Sequence, residues 1–235
     1  MARNRKQNNF EEIPWGEKEF EESMTPYINQ IYYTIFDKEN YSISEIIRNN
    51  RNNSSKAALF MDRNLAIDTH IKFKYGSSIS LQEKTLHSSK RKYNEFTFEY
   101  YNDPPTKEKG EWFKLESQLY FFGYANEEEN EYTDFWIIHV PNLRLYLQRY
   151  ILEIGLSDFK HKFLRKNPPP ARANFFAIPF ILIEELADTL ISYKWNKNEG
   201  IITNNLKKDI DFQKINELYE QHQNYLRTLK NKLGG

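Results

Sequence analysis

Two runs of alternating apolar and polar residues, joined by a glycine-serine turn, constrain the fold of this chain more than any other segment. In the first run, Leu65 to Tyr75, apolar and β-branched side chains occupy the odd-numbered positions and polar ones occupy the even-numbered positions. In the second run, Ile79 to Leu86, the apolar residues Ile79 and Leu81 are again odd-numbered. A period of two is typical of strands with one buried face. The segment therefore predicts a β-hairpin.

The register of this hairpin decides which polar side chains meet. If both apolar sets cover one core, opposed residue numbers must sum to an even number, which requires an odd-length turn. Residues 76–78 (Gly-Ser-Ser) supply three, and the glycine provides the unusual dihedral angles. The even-numbered polar side chains then share the other face: Asp68, His70, Ser80, Gln82 and Lys84. A one-residue slip would bring Glu83 to that face instead, but would expose the apolar set.

Length and composition bound the class of protein. A chain of 235 residues is one large domain or a domain with an extension. Hydrophobic residues are only 39%, but 16 Tyr, 17 Phe and 4 Trp supply large surfaces for a core. Without Cys, disulfides, thiolate metal sites and Cys nucleophiles are excluded. No apolar run reaches the ~20 residues of a membrane helix, so we expect a soluble, cytoplasmic protein that does not bind membranes.

The rest of the chain alternates predicted helices and strands. Residues 17–36 have helical apolar spacing interrupted by Pro26, which predicts either a kinked helix or a helix that starts at Pro26. A loop (48–56), a third strand (96–101), an aromatic segment that fits helix or strand (112–124), a buried strand (134–140), a helix (142–154) and a proline-containing basic loop (160–172) follow. Residues 209–233 are predicted to form an amphipathic helix, which could pack on the body or on a second copy in a homodimer.

The polar face of the hairpin suits metal-assisted hydrolysis of phosphodiesters. The Asp68 carboxylate, the Gln82 amide oxygen and the Glu83 carbonyl offer oxygen ligands for a hard cation such as Mg²⁺ or Mn²⁺. We also count the Glu83 side chain among the candidate metal ligands. Lys84 lies two residues beyond Gln82, where its ammonium group can orient the attacking water or neutralise developing charge. These residue types predict Asp68, Gln82 and Lys84 as the catalytic set.

This pattern resembles the PD-(D/E)xK, or restriction-endonuclease-like, nuclease superfamily in its QxK variant, of the type found in phages and mobile elements. The resemblance covers about residues 17–154 and implies an α/β fold, with a mixed central sheet flanked by helices around an αβββαβ core. It also implies divalent-metal-dependent cleavage of DNA. With it we divide the chain into a flexible N-terminus (1–16), a nuclease-like domain (17–190) and a helical C-terminal extension (191–235).

The chain departs from the family pattern at two positions. Asp68 follows Ile67 instead of proline, and Gln82 stands at the usual acidic position, so a metal would receive one negative charge fewer. The family often supplies a further Glu from its first helix. We choose Glu21 for this role, because it shares the helix face of Met24 and Ile28, with Glu17 as the second choice.

Local clusters of cations predict DNA as the partner, although the 33 basic and 33 acidic residues balance over the whole chain. The predicted DNA-binding residues are Lys90, Arg91, Lys92, Lys162, Arg165 and Lys166. The competing hypothesis is an inactive DNA-binding or assembly protein on the same fold. The presence of Lys84 favours the enzyme, and Gln82 favours the alternative.

Overall fold

A mixed central sheet and a smaller antiparallel sheet organise the protein. The computed structural model describes residues 15–49, 55–167, 173–185, 191–196, 200–203 and 212–233. The strands are β1 (Ile43–Arg48), β2 (Thr69–Phe73), β3 (Ser78–Leu86), β4 (Glu95–Asp103), β5 (Glu108–Lys109), β6 (Leu119–Ala125), β7 (Tyr132–His139), β8 (Leu164–Lys166), β9 (Asn174–Pro179), β10 (Ile191–Asn196) and β11 (Gly200–Thr203). The helices are α1 (Trp15–Lys38), α2 (Lys56–Leu65), α3 (Glu111–Lys114), α4 (Val140–Ile154), α5 (Leu156–Phe163), α6 (Phe180–Glu185) and α7 (Phe212–Leu233).

The central sheet has the strand order β1-β2-β3-β6-β7-β10-β11 within the described residues. β3 and β6 pair in parallel, and the other neighbours pair antiparallel. The predicted class, an α/β fold with a mixed central sheet, flanking helices and a C-terminal helix, is confirmed. The sheet also includes β10 and β11, so the segment that we assigned to a helical extension begins with two strands.

The second sheet, in the order β5-β4-β9-β8, was not predicted. The expected third strand is β4, and it belongs to this sheet instead of the central one. Its partner β9 lies about 80 residues further along the chain, and alternation within one strand carries no information about such a distant partner.

Helix α1 runs continuously through Pro26, as the kinked-helix alternative required. Its buried side chains pack on one face of the central sheet, against odd-numbered residues such as Leu81, Phe121 and Ile137. The opposite face packs on the second sheet and on α4 to α6 through a mostly aromatic core that includes Phe96, Tyr120, Phe122, Trp136, Phe176 and Phe180. The layered arrangement therefore gives β3 one face toward α1 and one face toward β4.

The hairpin keeps the predicted even register, but its turn lies two residues earlier, so each β2 residue pairs four residues earlier in β3 than predicted. Ile71 pairs with Ile79 and Lys72 with Ser78, and the Phe73 N–H donates to the Ser77 carbonyl over 2.9 Å. The turn is therefore residues 74–76, not 76–78, with Gly76 at a φ of +87°. Tyr75, which we predicted to be in the core, is 85% exposed in the turn.

Two predicted loops are partly regular structure. β1 ends at Arg48 and α2 starts at Lys56, with Ser55 as its N-cap, so the segment 48–56 connects an unpredicted strand and helix. The predicted basic loop 160–172 contains the end of α5 and β8. Residues 168–172, most of the predicted N-terminal segment (1–14) and residues 51–54 lie outside the described residues.

Helix α7 packs against its own chain. Tyr219 is buried against Phe163, with ring centroids 5.3 Å apart, and its hydroxyl donates to the Lys162 carbonyl. A homodimer that uses the remaining surface of this helix stays a prediction. Among the described helices, none combines the length and apolar character needed to cross a membrane.

Candidate active site

Asp68 lies directly before β2, where the pairing of β2 with β3 ends. Its N–H donates to the Leu81 carbonyl over 2.9 Å, although Leu81 is the pairing partner of Thr69, so the regular ladder between the two strands ends here. The Asp68 Oδ2 atom accepts the backbone N–H of Glu83 over 2.8 Å. From Glu83 onward β3 has no β2 residue beside it, and the Asp68 carboxylate takes the place of a strand partner.

A residue that the sequence did not reveal, Glu111, connects the other two predicted site residues. Its Oε1 accepts from Gln82 Nε2 over 3.1 Å and from the Tyr120 hydroxyl over 3.0 Å. Its Oε2 accepts the Glu99 N–H over 3.0 Å and lies 3.7 Å from Lys84 Nζ. Gln82 and Lys84 therefore converge on one buried carboxylate.

Gly110 brings this carboxylate to the strand. It precedes the four-residue helix α3, and its N–H donates to the Tyr100 carbonyl over 3.0 Å. A Cβ atom at this position would lie 2.6 Å from the Glu99 carbonyl oxygen, closer than two such atoms can approach. Only glycine permits this contact between the start of α3 and β4. The Gly-Glu pair at 110–111 was the only signal in the sequence, and it is too short to indicate a site.

The donor set of the site fits a hard cation. Gln82 Nε2 must face the acceptor-only Glu111 carboxylate, which fixes the orientation of the amide, and Gln82 Oε1 is buried without a hydrogen-bond partner. An orphaned buried oxygen costs about 1–3 kcal/mol unless a donor or a cation satisfies it. Within the described residues, no three His, Asp or Glu side chains are grouped to hold a metal. The site offers two carboxylates and an amide instead.

The carboxylate of Asp68 is electrostatically unfavourable in this structure. Burial raises the pKa of Asp68 well above its usual range, and the negative charges of Glu83 and Glu111 raise it further, while the Glu83 N–H opposes the shift. A divalent cation would favour the ionised form of such a group.

The ammonium group of Lys84 is held in its charged form. Burial lowers the pKa of Lys84, but the carboxylates of Glu111, Glu99 and Glu21 outweigh burial, and the net pKa is raised. Glu99 shares this environment, because burial raises its pKa while Lys84 lowers it. Lys84 is therefore a cation at neutral pH and not a proton acceptor.

The structure places the two additional metal candidates differently. Glu21 is an exposed residue of α1. Its negative charge raises the pKa of Lys84, so Glu21 lies near the carboxyl-terminal part of β3. The Glu83 side chain points to the α1 face, where it accepts from the Tyr32 hydroxyl over 2.8 Å and pairs with Arg48. The Glu83 carboxylate is thus not brought to the site, because the register turns odd-numbered side chains away from it. Of Glu17, only the backbone is described.

The first predicted DNA-binding cluster forms a 3₁₀ turn, Ser88–Tyr93, directly after β3. Lys90, Arg91 and Lys92 are exposed there. The Arg91 Nε atom pairs with the Asp134 carboxylate, and Lys92 Nζ lies 5.5 Å from the centroid of the Tyr93 ring. The turn therefore presents cations to solvent on the carboxyl-terminal side of the candidate site.

The second predicted cluster is mainly used inside the molecule. Lys162 Nζ donates to Asn216 Oδ1 over 3.0 Å and lies over the Tyr219 ring, and Arg165 donates to the Lys162 carbonyl over 2.7 Å. These contacts attach α7 to α5. Lys166 remains exposed at the end of β8.

Comparison of the chain with protein-family models, with curated proteins and with solved structures found no match. The nuclease resemblance therefore depends on the residues of this site alone.

Proposed function

We propose that the protein is a divalent-metal-dependent nuclease that hydrolyses DNA phosphodiester bonds at the Asp68–Gln82–Lys84 site. The observation that carries the proposal is the buried Gln82 Oε1, which has no hydrogen-bond partner among the described residues, on the side chain whose Nε2 donates to Glu111. Lys84 stands beside the same Glu111 carboxylate, 3.7 Å away. Oxygen ligands next to a protonated amine suit phosphodiester cleavage.

Each residue has a distinct role in this proposal. Asp68 and Gln82, together with the Glu83 carbonyl, would hold Mg²⁺ or Mn²⁺, and Glu111 would contribute the second negative charge that Gln82 lacks. When bound, the cation would polarise the phosphate and lower the pKa of the attacking water. Glu21, near the carboxyl-terminal part of β3, is the auxiliary carboxylate.

Lys84 acts as a fixed positive charge. Its raised pKa keeps it protonated, so it donates hydrogen bonds to the attacking water or to a phosphate oxygen and does not remove a proton. Charge placed beforehand where negative charge develops accounts for factors of about 10²–10³ in rate.

The deciding experiment is cleavage of labelled DNA by wild type and by Lys84→Met, in Mg²⁺ and in Mn²⁺. Methionine keeps most of the length of the side chain and removes the charge, so cleavage falls at least about 100-fold. The thermal midpoint also falls, because Glu111 loses its cation, so cleavage is compared at a temperature where both proteins are folded. Lys72→Met is the matched control, because Lys72 is also paired to a glutamate, Glu45, but lies on exposed surface. Equal activity of Lys84→Met and wild type would overturn the proposed role of Lys84.

Gln82→Glu tests the metal site from the other direction. It restores a second charge to the ligand set, so with metal it retains or raises cleavage. Without metal, repulsion between the introduced carboxylate and Glu111 lowers the thermal midpoint. If neither wild type nor Gln82→Glu cleaves DNA in any divalent metal, the enzyme proposal is wrong.

The second candidate is an inactive DNA-binding or assembly protein on the same fold. It is favoured by the neutral Gln82 and by the occupation of Glu111, whose oxygens already accept three hydrogen bonds from Gln82, Tyr120 and Glu99. This candidate predicts DNA binding without cleavage and no rise in the thermal midpoint on addition of Mg²⁺.

A further inference from the structure

A cleft of about 710 Å³ lies beside the candidate site, between the 3₁₀ turn, β7, α6 and α7. Its volume is within the range of about 300–1,000 Å³ that is usual for small-molecule sites. Trp136 and Ile181 contribute apolar surface, and the turn contributes Ser88, Arg91 and Lys92. The cleft therefore combines apolar surface with positive charge, and we call it the Arg91 cleft.

The position of Arg91 in the cleft is set by a buried carboxylate. Asp134 lies on β7 with 9% of its side chain exposed, and it pairs with Arg91 Nε. A guanidinium group has five N–H donors, so a contact through Nε orients the group and leaves most of its donors for other partners. Lys92 adds a second cation, and no ion pair to Lys92 occurs among the described residues.

An aromatic ring stands next to these cations. Tyr225 of α7 is 45% exposed, and its hydroxyl donates to the Lys92 carbonyl over 2.6 Å. The neighbouring His222 is buried and contacts Glu95 at 3.3 Å, which anchors this part of α7 to β4. The ring of Tyr225 is thus tethered at its hydroxyl beside Lys92, with part of its surface open.

We propose that the Arg91 cleft binds one unpaired nucleotide, with its phosphate at Arg91 and Lys92 and its base against Tyr225. Paired cations suit a phosphate, and an exposed aromatic ring offers a stacking surface that every base can use. A ligand with only one of these parts would leave the other wall of the cleft unused.

The cleft and the candidate site lie on one face of the central sheet. Trp136, Gln82 and Lys84 all project toward the second sheet, and the 3₁₀ turn follows β3 after one residue. Lys84 and Ser88 are four positions apart in the chain, a span of at most about 14 Å. The assignment of this nucleotide to the DNA strand being cut rests on the proposed function. Nucleotide binding by the Arg91 cleft does not depend on the proposed function.

The test is calorimetric titration of the full-length protein in EDTA with thymidine 5′-monophosphate, thymidine and inorganic phosphate as separate probes. We expect the monophosphate to bind, and the other two probes to bind at least about tenfold more weakly. Lys92→Gln and Tyr225→Ala each weaken monophosphate binding about tenfold or more. Lys74→Gln is the control, because Lys74 is an exposed lysine of the hairpin turn that does not line the cleft.

Several results would overturn the inference: no binding of the monophosphate, equal binding of inorganic phosphate, or equal weakening by Lys74→Gln. The experiment contains no metal and no cleavage, so it is separate from the proposed function. Binding without any DNA cleavage in metal would leave the cleft in place and remove the nuclease proposal, and cleavage without binding would do the reverse.

Discussion

Asp68 carries the clearest conflict between stability and function at the residue scale. Its carboxylate is buried near Glu83 and Glu111, and this raises its pKa well above the usual range. Between the ordinary Asp pKa of about 3.9 and this raised value, the folded protein holds a proton that the unfolded chain has released. Folding stability therefore falls as pH rises through that window, and at higher pH the ionised carboxylate destabilises the fold in full.

We expect Asp68→Asn to raise the thermal midpoint at pH values above the raised pKa of Asp68, where the wild-type carboxylate is ionised. Asparagine keeps an oxygen that can accept the Glu83 N–H but has no charge to bury, and each kcal/mol gained corresponds to about 2–4 °C in a protein of this size. The gain shrinks as pH falls toward 4, because the wild-type carboxyl group is then protonated. Calorimetric melts over this pH range measure the effect, with the exposed Asp37→Asn as control.

We expect addition of Mg²⁺ to reverse the order of the two proteins. If the proposed site binds the cation, Mg²⁺ should stabilise the wild type and have little effect on Asp68→Asn, which lacks the ligand charge. A midpoint of Asp68→Asn that stays below wild type over the whole pH range without metal would contradict the electrostatic interpretation of this residue.

At the scale of elements, the contact between α3 and β4 controls the site without contributing a side chain of its own. Gly110→Ala would place a Cβ atom 2.6 Å from the Glu99 carbonyl oxygen. The Glu99 carbonyl is part of the β4 backbone and cannot move aside as a flexible side chain can. Helix α3 must therefore shift, and Glu111 shifts with it. We expect a loss of about 1–3 kcal/mol in stability and weaker Mg²⁺ binding, measured by chemical denaturation and by titration.

Gly76→Asn is the control for this substitution. Gly76 has a backbone conformation that favours glycine, with φ of +87°, whereas Gly110 has an ordinary negative φ and is required by the close contact with Glu99. Nothing lies within 4 Å of a Cβ at Gly76, and asparagine tolerates this backbone region better than other residues. It should bind Mg²⁺ like wild type. Unchanged binding by Gly110→Ala would mean that α3 does not position Glu111.

The elements also show where sequence patterns carry information and where they do not. Alternation predicted β2 and β3 and the even register, because burying one face of each strand excludes a one-residue slip. The alternation did not locate the turn, because moving the turn by two residues leaves every side chain on the same face of the sheet. Glu111 could not be predicted, since hydrogen bonds to Gln82 and Tyr120 form only after α3 has docked between the two sheets.

At the scale of the whole molecule, zero net charge makes the position of each cation more important than the total. Lys90 and Lys92 are exposed on the turn after β3, whereas Lys162 holds α7 against α5 and Arg165 donates to the Lys162 carbonyl. The sequence alone places all four residues in basic clusters, because it does not show which cations make contacts inside the folded protein. DNA affinity and fold stability should therefore respond to different members of these clusters.

We expect the affinity for duplex DNA to fall steeply with salt, because it depends on phosphate contacts that release counterions. Each lysine that contacts a phosphate contributes about 0.9 to the slope of log K against log salt, so the double variant Lys90→Gln/Lys92→Gln lowers the slope by about 1.8 and leaves the thermal midpoint near wild type. Lys162→Gln should lower the thermal midpoint and leave the salt slope unchanged, because it removes the ammonium donor to Asn216 and loosens α7. Lys74→Gln, in the hairpin turn at the far end of β3, is the control and should change neither quantity. Fluorescence anisotropy over a salt series and thermal melts measure both effects, and equal slopes for wild type and the double variant would show that this turn does not contact DNA.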